Sequence, residues 1–262
     1  MKLFIFKNND TLYEYVSSVY IKKINENPNI CLGLATGSTP IPLYNLLSKS
    51  YQKRLVDFSK VKTINLDEYL GLDENNSESY RYFMNENLFK KINISGSNTY
   101  LPLGTGNIDT NISFYNNLLA NNSIDLLLLG LGSNGHIGFN EPNTSFNSTT
   151  HVVKLKKSTI KDNSRLFENI KLVPKKAITM GLKDIFNAKE IFLIANTKNK
   201  EKVIKKILEG KRRQKIPASI LKNHPNTTIF INSNIALKLN LTGSKYSLIE
   251  ENDSYEIFDV LK

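Results

Sequence analysis

The sequence predicts an α/β fold, a mostly parallel open sheet with helices on both faces, Rossmann-like in plan. Two observations predict it. Strand-length apolar runs alternate with helix-period segments along most of the 262 residues. The residues with chemical potential fall just after those runs, at the carboxyl ends of the expected strands, where open α/β sheets bind ligands.

Taken in order, "KLFIF" (Lys2 to Phe6) reads as a strand. "DTLYEYVSSVYIKKINEN" carries apolar residues at helical spacing at Leu12, Tyr15, Val16, Val19 and Ile24. "NICLGLA" is a strand, "TGSTP" a glycine-bearing turn, and "IPLYNLLSKSYQK" a helix with Pro40 near its start. "VKTINL" is a strand and "SYRYFMNENLFKKI" a helix. "ISFYNNLLAN" is a helix, and "IDLLLLGLG" a strand apolar enough to be covered on both faces. "THVVKL" and "KAITMGL" read as strands flanking a polar helical segment. "EIFLIAN", "TKNKEKVIKKILEG", "PASILKNH" and "TTIFIN" follow as strand, helix, short helix and strand. The tail "YSLIEENDSYEIFDVLK" has no clear pattern. No internal repeat or low-complexity linker divides the chain, so one domain over 1–262 is expected.

Composition narrows the function classes. Hydrophobic residues make up 40% and charged residues 23%, as in an ordinary globular protein. No apolar run is long enough to span a membrane or to serve as a secretion signal, so a cytoplasmic protein is expected. Cys31 is the only cysteine and sits in a strand, which suits a packing role and excludes an intrachain disulfide or a cysteine metal site. The net charge of +11 raises the question of nucleic acid. The densest run, "KKILEGKRRQK", reads more simply as a solvated helix end, so no nucleic-acid partner is expected.

Four loops stand out. "ATGSTP" places Gly37, Ser38 and Thr39 between a strand and a helix, where successive N–H groups can hold a phosphate. It is neither a Walker loop nor a dinucleotide fingerprint. "NLDEYLGL" offers Asp67 and Glu68 at a strand end; one of them can face a cleft, and adjacency does not say which. "GLGSNGHIGFNEP" gathers Asn134, His136 and Glu141 within eight residues, a set able to move protons between sugar oxygens. Ser133 lacks nucleophile-elbow spacing. His151 and His224 show no ligand spacing to complete a metal site. Arg165 in "DNSRLF" and Lys198 in "NTKNK" are cations that could complete a phosphate clamp.

Together these segments resemble the glucosamine-6-phosphate deaminase (glucosamine-6-phosphate isomerase) family. The similar blocks are "GLATGSTP", "NLDEYLGL", "SYRYFM", "GLGSNGHIGFNEP", "NSRLF", "VPKKAITMGL" and "PASILKNHP", in family order from about Leu32 to about Pro225. The resemblance implies conversion of glucosamine 6-phosphate and water to fructose 6-phosphate and ammonia, without metal or organic cofactor. It assigns Asp67 to carbon proton transfer, His136 to ring opening and Glu141 to its carboxylate partner. Gly37, Ser38 and Thr39 match the phosphate loop, with Arg165 and Lys198 as its clamp. A mobile lid over about 145–174 is expected to close over the sugar. Asn134 stands where many members have Asp, so a weaker but competent base is expected at His136. His151 and Val153 replace the cations that bind an activating sugar phosphate in hexameric members, which favours a monomer or small homo-oligomer. The alternatives are a 6-phosphogluconolactonase-like hydrolase, a deaminase of galactosamine 6-phosphate and a non-catalytic sugar-phosphate sensor.

Overall fold

The computed structural model describes residues 1–164, 167–241 and 245–261. Its centre is a nine-stranded sheet. Seven strands form its parallel part: β1 (Lys2–Phe6), β2 (Cys31–Leu34), β3 (Lys62–Asn65), β5 (Thr99–Tyr100), β6 (Leu126–Gly130), β9 (Ile191–Ala195) and β10 (Thr227–Asn232). They lie in the order β1-β10-β9-β6-β2-β3-β5. Leu126 to Leu129 are all buried, as a strand covered on both faces requires. Helices α1 (Asn9–Glu26), α2 (Ile41–Gln52), α3 (Tyr80–Asn87), α4 (Ile108–Asn121) and α7 (Glu201–Glu209) connect them, with the short helices α6 (Leu182–Phe186) and α8 (Ser233–Ala236).

Two features depart from the sequence reading. The first is a separate three-stranded antiparallel sheet made of β4 (Asp67–Tyr69), β8 (Lys176–Thr179) and β7 (His151–Lys154). β4 follows β3 after one residue, so the "LDEY" loop is itself a strand, paired Asp67 to Thr179. The second is the patternless tail, which is a hairpin of β11 (Tyr246–Glu251) and β12 (Tyr255–Val260) laid antiparallel on β1.

The expected lid segment contains β7, α5 (Lys157–Asn163) and a short 3₁₀ turn at Ile170–Leu172. Among the described residues no helix is long and apolar enough to cross a membrane. Cys31 is buried, and burial pushes its thiol up to about 11, which suits packing.

The ends of β2, β3, β6 and β9 open on one side of the sheet. A cleft of about 270 Å³ lies there.

Candidate active site

The floor of the cleft answers which of the two adjacent acids faces inward. Successive residues of a strand point to opposite sides, so β4 sends Asp67 into the cleft and Glu68 away from it. Glu68 is buried beneath α3, whose N-terminus it caps. Its Oε1 accepts from the Tyr69 and Tyr80 N–H groups at 2.8 and 2.9 Å, and its Oε2 from the Arg81 N–H at 3.0 Å. Those bonds consume orphan donors of the helix, so Glu68 has a structural partner set. Asp67 has a single such partner, the Phe139 N–H. Burial, and then the neighbouring Glu68 charge, push its carboxyl from 3.8 up to about 8, against a smaller downward pull from the Phe139 N–H.

His136 lines the same cleft, on the glycine-rich loop after β6. Its ring packs against the backbone of Gly132, where an added Cβ would lie 2.2 Å from the ring. That close approach is why glycine stands there. Farther along the loop, a Cβ on Gly138 would sit 3.3 Å from Asp67 Oδ2, so the backbone runs beside the carboxylate.

A relay fixes the imidazole. Asn134 Oδ1 accepts from His136 Nδ1 at 2.8 Å and from the His136 backbone N–H at 3.0 Å. Asn134 Nδ2 donates to Glu141 Oε2 at 2.9 Å. With its amide so oriented, Asn134 can only accept from the ring, so Nδ1 carries the proton and Nε2 is left as the proton acceptor. Glu141 therefore reaches the histidine through Asn134. Its Oε1 takes the Thr159 hydroxyl at 2.6 Å and the Lys156 N–H at 2.9 Å, which binds α5 and its flank to the catalytic loop. Desolvation lowers the His136 pKa; Glu141 and Asp162 pull it up and Lys200 pulls it down.

Another part of the cleft has the features that can hold an anion. Thr36, Gly37, Ser38 and Thr39 line it ahead of α2, whose N-terminus carries no side-chain cap. That end of the helix is its positive one, which favours an anion. The Tyr13 hydroxyl donates to the Thr39 carbonyl at 2.5 Å and accepts from Asn196 at 3.0 Å, tying this loop to the end of β9.

Among the described residues, Lys200 is the cation that lines the cleft. Lys198, two residues earlier in the same turn, is exposed and does not line the cleft, whereas Asn196, Thr197, Asn199 and Lys200 do. The sequence reading named Lys198, and the structure places Lys200 in the cleft instead: in a 3₁₀ turn of three residues per turn, side chains two positions apart point to different sides. Arg165 lies outside the described residues. Asp162 and Asn163 on α5 also face the cleft, Asp162 accepting from the Ser133 hydroxyl at 2.6 Å. Sequence reasoning misses both, because nothing in a polar helix marks which side meets a ligand. Among the described residues no group of three or more His, Cys, Asp or Glu could hold a metal ion.

The opposing influences on His136 make a signed prediction. Removing the Asp162 charge in Asp162→Asn should lower the imidazole pKa further, and removing the ammonium in Lys200→Ala should raise it. NMR titration of the His136 ring reads both shifts. Two shifts of the same sign would place one of these charges too far away to act.

Proton transfer beside an anion pocket is what this edge of the sheet offers, so the fold and site define an α/β acid–base enzyme of small anionic substrates. Residues 9–230 match the family of glucosamine-6-phosphate isomerases and 6-phosphogluconolactonases, and the chain belongs to it. It is 48% identical over 241 residues to a glucosamine-6-phosphate deaminase of Clostridium novyi, covering 91% of this chain and 100% of that one. It is 53% identical over 204 residues to a deaminase of Lachnoclostridium phytofermentans, covering 77% and 86%. A solved monomeric glucosamine-6-phosphate deaminase superposes with a TM-score of 0.89 at 38% identity, over 91% of this chain and 100% of its own. The 6-phosphogluconolactonase of Thermotoga maritima, at 19% identity, 88% and 98% coverage and TM-score 0.69, shares the fold.

Proposed function

We propose that this enzyme converts glucosamine 6-phosphate and water to fructose 6-phosphate and ammonia. One observation carries the reading. A buried carboxylate with its pKa near neutrality shares a cleft with a tautomer-fixed imidazole and an anion-holding helix end. Lactone hydrolysis would leave the first of these without a task.

The steps follow from the groups. The 6-phosphate sits on the N–H groups of Gly37, Ser38 and Thr39, with Lys200 as its counter-charge and Arg165 as a second cation. His136 Nε2 takes the anomeric hydroxyl proton and delivers it to the ring oxygen, which opens the ring to the aldehyde. Asp67 then removes the proton from the amine-bearing carbon, and the electron pair moves onto the aldehyde oxygen, which takes a proton from the substrate's own ammonium to leave an enolamine. Returning that proton to the neighbouring carbon turns the amine-bearing carbon into an imine. Water adds there and ammonia leaves, giving the ketose. No step calls for a metal or organic cofactor.

The chain works as one domain in this reading, with the segment 145–174 closing over the sugar. A phosphorylated substrate and a single buried thiol suit the cytoplasm, in amino-sugar breakdown. The high similarity to a monomeric deaminase favours a monomer, and the +11 charge serves an anionic substrate rather than nucleic acid.

The test is direct. Ammonia and fructose 6-phosphate should appear in equal amounts from glucosamine 6-phosphate, with galactosamine 6-phosphate assayed beside it. Faster turnover of the second sugar would move the substrate to the epimer, and lactone hydrolysis without ammonia release would overturn the reading.

Lys200→Ala should weaken binding by on the order of 1.5–3 kcal/mol, the worth of a charge-assisted hydrogen bond. KM should rise roughly ten- to a hundredfold. Lys198→Ala should leave KM near wild type. The reverse ranking would restore Lys198 as the phosphate ligand.

A further inference from the structure

The densest cationic run of the sequence, Lys205 to Lys215, takes no part in the cleft. In the structure it surrounds a second cavity of about 300 Å³ at the end of α7. Lys206, Arg213 and Lys215 line it together with Val203, Gly210 and Ile216. Its remaining wall is Ser133 and Asn134, so the catalytic loop separates this cavity from the one that His136 lines. No Asp or Glu is among the lining residues. Three like charges around one small volume repel each other, and a multiply charged anion would relieve that.

The turn carrying these cations is built onto the catalytic loop through its backbone. The Arg213 N–H donates to the Ser219 hydroxyl at 2.8 Å, and that hydroxyl donates to the Arg213 carbonyl at 2.9 Å. The Ala218 N–H donates to the Gly135 carbonyl at 3.0 Å, and the Asn143 N–H to the Gln214 carbonyl at 2.8 Å. Side chains can therefore be truncated without cutting the turn loose. The wall residues are the ones that matter in the cleft. Ser133 holds Asp162 and Asn134 holds the His136 ring.

We propose that this cavity binds a small phosphate-bearing metabolite, and that its occupancy is transmitted to His136 through Ser133 and Asn134. A cavity of this size suits a compact ligand such as a sugar phosphate or a short polyphosphate. The binding half stands on the geometry alone; the regulatory half rests on the deaminase reading above.

Pyrophosphate serves as the probe on the full chain, with calorimetry first. Wild type should bind two pyrophosphates, one in the cleft and one here. The triple variant Lys206→Ala/Arg213→Ala/Lys215→Ala should bind one, whereas Lys200→Ala should keep the site here unchanged and hold the cleft site roughly ten- to a hundredfold more weakly. Kinetics come second. Pyrophosphate in the cleft alone raises KM and leaves kcat unchanged, whereas occupancy of the second cavity should change kcat at least about twofold at saturating glucosamine 6-phosphate. The triple variant should keep its basal kcat and lose that effect. A single site in wild type that weakens in Lys200→Ala and is unchanged in the triple variant overturns the proposal. So does loss, in the triple variant, of oligonucleotide binding with pyrophosphate stoichiometry unchanged, which would assign the patch to nucleic acid. If no ammonia is released at all, the deaminase reading falls while the stoichiometry still decides the site.

Discussion

Asp67→Asn should release ammonia at least about 100-fold more slowly than wild type while binding glucosamine 6-phosphate with near-normal affinity. The loss is the range usually seen when a general base is removed. The proton to be removed is bound to carbon and weakly acidic, so a carboxylate of ordinary pKa 3.8 would be a poor match. Burial raises Asp67 to about 8, closer to the proton's own acidity. The sign of the pH dependence follows. Asp67 must be ionised to act, so kcat/KM should rise with pH, with an acid limb near 8 in the free enzyme. The same shift has the opposite consequence for stability. A carboxyl whose folded pKa exceeds its unfolded value favours folding while protonated, and that contribution is lost as pH rises from 3.8 through about 8. The amide of the Asp67→Asn variant mimics the protonated carboxyl at every pH. The variant should therefore melt no lower than wild type at pH 7 and higher at pH 9. Solvent deuterium should also cease to enter the sugar at the carbon beside the former amine. Near wild-type ammonia release would transfer the role to another group, and Glu68, bonded to three N–H groups of the chain, would have to leave α3 to take it.

The parallel sheet and the position of the cleft were legible because alternation and strand-end chemistry are local signals. What the sequence left open was decided by direction. Asp67 and Glu68 are neighbours of the same type, and only the pleat of β4, held by its pairing with β8, sends one inward. β8 lies more than a hundred residues away, and no local pattern announces that pairing. Lys198 was the lysine read from the sequence, and Lys200 lines the cleft instead because of the rotation of one short turn. The C-terminal hairpin was illegible for a different reason. Its outer strand β11 is almost entirely exposed, with Leu248 and Ile249 adjacent and a register shift between Leu248 and Glu250, so the alternation that marks a half-buried strand is broken. Asn134 also changes meaning in the structure. An Asp there was expected to be the better partner for His136, yet the side chain must accept from the imidazole and donate to Glu141 at once. An amide does both without a shared proton.

His136→Gln is the second large effect expected, a fall in kcat of roughly 10²- to 10⁴-fold, the worth of a positioned acid–base group. The geometry says which step it should slow. Asn134 holds the Nδ1 proton, so Nε2 alone faces the cleft as an exchangeable site, and burial keeps the ring neutral and ready to accept. Glutamine can hydrogen-bond a sugar oxygen but cannot take its proton and return it, so ring opening would fall toward its unassisted rate. Asp67 and the phosphate end of the cleft are untouched, and affinity should change little. The two variants are told apart by a substrate carrying deuterium on the amine-bearing carbon. In Asp67→Asn the carbon–hydrogen bond limits the rate, so the isotope effect on kcat should equal or exceed that of wild type. In His136→Gln ring opening comes first and limits, so the effect should shrink toward one. The variant should also lose the pH limb that follows the imidazole and keep the one that follows Asp67. An undiminished isotope effect in His136→Gln would mean that the imidazole serves the carbon step, and that some other group in the cleft, Asp162 foremost by position, opens the ring.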